Sequence, residues 1–128
     1  MIAFFKNNIL LGIVRLIFAA LLISGAYMHF TISTDYYNNE FIDYLSAANY
    51  MWQLIGAIIL VAGIGILFNK TLVLASLLAL PITFNILALH LHYFTLDGLF
   101  IGVVMFGLNV ILLYYCRGVL RNLFDEVE

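Results

Sequence analysis

The chain has 128 residues, of which 66% are hydrophobic and only 9% charged, with a formal net charge of -2. Soluble domains carry about 25% charged residues, so this chain cannot cover itself in water, and the lack of a basic patch argues against a nucleic-acid partner. The single cysteine, Cys116, excludes an intrachain disulfide and reads as a small apolar filler.

Four apolar runs occupy most of the sequence, at 9–30, 50–68, 71–94 and 99–116. Each approaches the roughly 20 helical residues that cross a bilayer core. Lipid offers backbone groups no water, so runs of this length without alternation must be helices. The expected fold is all-α: one integral membrane domain over residues 1–128, an antiparallel four-helix bundle with both termini cytoplasmic.

The first run follows Lys6 and contains Arg15. Lys6, Arg15, the apolar stretch Leu16–Ile23 and Ser24-Gly25-Ala26 also fit the layout of a cleaved signal; the segment is read here as a first span. His29 ends it. In the following loop, Asp35-Tyr36-Tyr37-Asn38-Asn39 suits headgroup depth, and a short amphipathic helix is predicted from Asn39 to Asn49. The second run opens with Gln53 and carries Gly56, Gly63 and Gly65, where backbones can approach closely. Asn69-Lys70 then reverses the chain. The third run holds Pro81, Asn85, His90 and His92, and Pro81 predicts a kink. A connection at Thr95–Gly98, containing Asp97, leads to the fourth run, with Gly102, Gly107 and Asn109. Arg117 and Arg121 follow it.

The five basic residues, Lys6, Arg15, Lys70, Arg117 and Arg121, all fall on one side of this threading. The positive-inside rule makes that side cytoplasmic. His29, Gln53, Asn85, His90 and His92 then gather in the outer half, and Arg15 and Asn109 in the inner half. Arg15 either snorkels to lipid phosphates or turns inward to Asn109, Tyr114 or Tyr115. For the amides, the simplest satisfaction is an Asn85–Gln53 bond across spans. Asn85 and His92 are seven residues apart and share a helical face, while His90 points elsewhere. The functional reading of this layer is an outward-opening polar pocket, floored by Asn85 and Gln53 and rimmed by His29, His92 and Asp97. Imidazole there can pass protons or hold a quinone oxygen. No ligand spacing supports a metal site or a haem. No nucleophile–base set supports catalysis.

Several of these residues form a familiar pattern: Arg15-Leu16 followed by Leu22-Ile23-Ser24-Gly25, then Gln53-Leu54-Ile55-Gly56, then Pro81-Ile82-Thr83-Phe84-Asn85-Ile86-Leu87-Ala88-Leu89-His90. Over essentially the whole chain this resembles the DoxX-like family of small four-span bacterial membrane proteins. The resemblance implies a subunit or companion of a membrane redox system, such as a quinol oxidase or thiosulfate:quinone oxidoreductase. It makes Arg15, Gln53, Asn85 and His90 the positions of interest. Gln53 departs from the Glu often found there, which weakens the case for independent proton coupling.

The expected function is therefore that of an accessory subunit of a redox or respiratory assembly in the bacterial inner membrane, multi-pass and not catalytic alone. Arg15, His29, Gln53, Asn85, His90 and His92 are its candidate ligand-binding residues, for a quinone or a lipid. Membrane lipids, other integral subunits or a second copy are the expected partners. The rival is a purely structural subunit that offers aromatic ridges (Phe4, Phe5, Phe94, Phe100, Phe106) to a neighbour; a small transporter ranks last.

Overall fold

The computed structural model describes residues 9–31, 40–47, 50–93 and 96–125. Lys6, Phe4, Phe5, the 35–39 stretch, Phe94 and Thr95 lie outside the described residues. Every element is helical, with no strand among the described residues: α1 (Ile9–Thr31), α2 (Glu40–Ala47), α3 (Met51–Ile66), α4 (Leu72–Tyr93), α5 (Leu96–Tyr115) and α6 (Arg117–Asp125). Three of them, α1, α4 and α5, are long and apolar enough to cross a membrane. The expected second span is shorter than that. It contracts to the 16 residues of α3, about 24 Å of helix.

The helices pack in a closed order. α3 lies on α1, α4 on α3, α5 on α4, and α1 touches α5. Phe18 and Leu22 of α1, Ile59 and Ile66 of α3, Ala79 of α4 and Leu112 of α5 meet in one buried cluster. Large apolar side chains such as Leu74, Phe84 and Phe100 remain exposed, which lipid tolerates and water does not. Small residues set the close approaches. A Cβ on Gly63 would lie 2.9 Å from Ile23 Cγ1, and one on Gly102 would lie 3.0 Å from the Cα of Leu87. Gly107, expected to share this role, has nothing within 4 Å.

The turn between α3 and α4 is tightened by 3₁₀-type bonds, Leu67 N–H to the Ile64 carbonyl (3.1 Å) and Phe68 N–H to that of Gly65 (3.3 Å). The Thr71 hydroxyl also donates to the Gly65 carbonyl, at 2.7 Å. These bonds end α3 at Ile66 rather than at residue 68.

At the other end of α4 the chain turns sooner than expected. α5 begins at Leu96, so Asp97 stands in its first turn, where the helix dipole favours a carboxylate. The short amphipathic helix foreseen between Asn39 and Asn49 forms as α2 and packs on α3. α6 was not foreseen.

Candidate functional site

The polar groups separate into two layers at opposite ends of the helices. Arg15 and His29 are fourteen positions apart on α1, which is about 21 Å along the axis.

At one end Arg15 is buried, with 2% of its surface exposed. It does not snorkel, and Asn109 is not its partner. Its Nε–H donates to the Ile66 carbonyl at 3.0 Å, and Nη1 donates to Asn69 Oδ1 at 2.7 Å. Ile66 is the last residue of α3, so its carbonyl lacks an intrahelical donor. The guanidinium thus caps α3 from a neighbouring helix, where the negative end of the helix dipole favours a cation. Tyr115 and Cys116 stand close enough to interact with it electrostatically. Cys116 is buried here, in keeping with a packing role.

Asn109 instead joins α5 to α4 in a polar contact that includes Thr83 and Ser76, two buried residues the sequence reading passed over. In the amide orientation that matches donors with acceptors, Nδ2 donates to the Ser76 carbonyl at 3.0 Å. Oδ1 accepts from Leu80 N–H at 3.0 Å and from the Thr83 hydroxyl at 2.9 Å. Ser76 and Leu80 are one helical turn apart, so a single amide bridges the backbone of α4 just before Pro81.

At the far end a cavity of about 400 Å³ opens between α1, α3, α4 and α5, beneath α2. Its walls are mainly apolar, with Ile55 and Ile59 from α3, Met105 from α5, and Ile42 and Leu45 from α2. His29, Asn85, His90 and Trp52 supply its polar atoms. Concave apolar sites with few polar groups are the usual form of a small-molecule pocket.

His29 is fixed on two sides. Its Nδ1 lies 3.1 Å from the Trp52 carbonyl, and its ring stacks on the Trp52 indole at 3.9 Å and 26°. A carbonyl can only accept, so Nδ1 carries the proton. In the neutral ring Nε2 is then left as an acceptor. Gly56 permits this arrangement, because a Cβ there would sit 2.7 Å from His29 Cβ. Gly56→Ala should therefore push α1 away from α3 and cost about 1–3 kcal/mol. A lower melting temperature together with red-shifted Trp52 emission would register it.

The candidate residues divide accordingly. His29, Asn85 and His90 line the cavity; Gln53 and His92 do not, and neither does Asp97. No Asn85–Gln53 bond forms. Asn85 Nδ2 donates to the Pro81 carbonyl of its own helix at 2.9 Å. Gln53 is exposed because the buried stripe of α3 runs through Trp52, Gly56, Ile59, Gly63 and Ile66, leaving the next position about 100° away.

On α4 the cavity takes Ile82, Asn85, Ile86, Leu89 and His90. Asn85 and His90 are the two margins of that stripe. His92 does share the azimuth of Asn85, but lies just beyond the margin and is exposed. Among the described residues no three His, Cys, Asp or Glu side chains are grouped to hold a metal.

No protein-family model, no curated protein and no solved structure matches this chain.

Proposed function

We propose that this is a DoxX-like, multi-pass protein of the bacterial inner membrane, an antiparallel four-helix bundle with cytoplasmic termini, that binds an amphiphile in the cavity beneath α2. Its role is that of an accessory subunit beside a membrane redox assembly, and the amphiphile is a quinone or lipid headgroup. One observation carries the reading: His29, Asn85 and His90, from two helices, reach one mainly apolar cavity of about 400 Å³. The Nε2 acceptor of His29 suits a hydroxyl, as in a hydroquinone or a lipid headgroup. The redox assignment rests on the resemblance of the Arg15-Leu16 and Pro81-to-His90 segments.

Trp52 is the only tryptophan in the chain and lines the cavity, so it reports on occupancy. A short-chain quinone should quench its emission saturably in detergent. His29→Leu should weaken that binding about tenfold, the worth of one hydrogen bond near 1.4 kcal/mol. Ile86→Phe should fill the cavity and abolish it. Mass analysis after gentle extraction should find an amphiphile retained by the wild-type protein and lost from Ile86→Phe. If nothing copurifies and quenching never saturates, the purely structural reading stands in its place. That rival draws on exposed Phe100; Phe106 instead packs edge-on against Phe84 within the chain, with centroids 6.0 Å apart.

A further inference from the structure

α6 plays no part in the cavity. It follows α5 after a single residue, Cys116, which is buried and keeps helical bonding on both sides: Cys116 N–H to the Leu112 carbonyl (3.0 Å) and Leu120 N–H to that of Cys116 (3.1 Å). Since α5 is long and apolar enough to span the membrane, α6 starts at a membrane surface.

Its sequence is two-sided. At 100° per residue Val119 stands about 180° from the midpoint of Arg117 and Arg121, Leu120 lies on the flank between, and Phe124 falls only about 20° from Arg117. Val119 is 53% and Phe124 74% exposed, and α6 packs only lightly on α5. A helix with this division suits the boundary between headgroups and acyl chains.

Beside the arginines is a crevice of about 420 Å³, lined by Tyr115, Arg117, Gly118 and Arg121. Arg117 is held in place there. Its Nη1 donates to the Tyr114 carbonyl at 3.0 Å, and its guanidinium lies 4.1 Å from the centroid of the Tyr114 ring. Tyr114 and Tyr115 are themselves exposed, as tyrosines at headgroup depth are. Asp125, the one acidic residue of α6, closes the helix a turn beyond Arg121 and stays outside the crevice.

We propose that α6 lies in the membrane–water boundary, with Val119 and Leu120 toward the acyl region and an anionic lipid phosphate between Arg117 and Arg121. Guanidinium groups match phosphate geometry with paired donors. Each basic residue at an anionic surface adds about fivefold to partitioning.

The test uses the full chain in vesicles of phosphatidylcholine, with and without phosphatidylglycerol. Native mass analysis from the mixed membrane should show phosphatidylglycerol enriched on the wild-type protein. Arg117→Gln with Arg121→Gln should erase that enrichment while helix content stays unchanged. In a Cys116→Ala background, a nitroxide at Val119→Cys should be reached by oxygen and shielded from a water-soluble nickel chelate. A wild-type protein that does not discriminate between the two lipids overturns the proposal. So does a label at position 119 that is open to the chelate, as it would be if α6 served a soluble partner instead.

Discussion

Arg15→Ala should lower the unfolding free energy by about 3 kcal/mol or more, since two hydrogen bonds from a charged group are lost at about 1.5–3 kcal/mol each. Both bonds are buried or partly so, and they reach from α1 to the end of α3 and the turn beyond it. The Ile66 carbonyl would lose its donor in a place with little water, which adds a desolvation penalty. Arg15→Lys should fall between the two, because one ammonium cannot hold the forked geometry that serves Ile66 and Asn69 together. Thermal or detergent-induced unfolding followed by far-ultraviolet circular dichroism would measure the series. A wild-type melting temperature in Arg15→Ala would mean that the side chain faces lipid headgroups after all.

Asn109→Asp should be the other severe change, and its severity should depend on pH. The Asn109 amide donates to the Ser76 carbonyl and accepts from Leu80 N–H. A carboxyl can copy both bonds only while protonated; ionised, it would face the Ser76 carbonyl with a second acceptor and no donor. The fold therefore accepts the neutral side chain and not the carboxylate.

Once ionised, the variant should lose about 3 kcal/mol or more relative to wild type, the cost of an unpaired buried charge, and acid should restore it. Asn109→Leu should cost only about 0.6–2 kcal/mol at any pH, the range for polar contacts between membrane helices, because Ser76 and Leu80 can bond each other directly. A pH-independent loss in Asn109→Asp would show that the amide does not bridge α4.

Helices and their approximate limits were legible because apolar run length is a direct physical requirement of lipid. α1 covers 9–31 where 9–30 was expected. The start of α5 was missed because apolarity alone ignores Asp97, which belongs to the helix by its charge rather than its hydropathy. α6 was missed for a related reason. Arg117 and Arg121 were read as topology markers, and their four-residue spacing opposite Val119 went unused.

Partners were harder to read than positions. Arg15 was marked as unusual, yet its Nε–H bonds a backbone carbonyl, and every residue has one of those. His29 and Asn85, expected at one pocket, both line the cavity, as does His90, while helical spacing had favoured His92. Two residues can share a face without that face being the one that turns inward, and only the packing of α4 against its neighbours decides this. Trp52 could have been found, since an indole four residues before Gly56 marks the buried stripe of α3.

The contact between Arg15 and Ile66 joins residues 51 positions apart. A ribosome adding about 5–20 residues per second needs roughly 3 to 10 seconds to make the intervening chain. Throughout that interval the first helix carries a cation whose eventual acceptor has not been synthesised. Biogenesis must then shelter the guanidinium at the lipid headgroups or inside the insertion machinery, and release it inward only when the α3–α4 hairpin arrives.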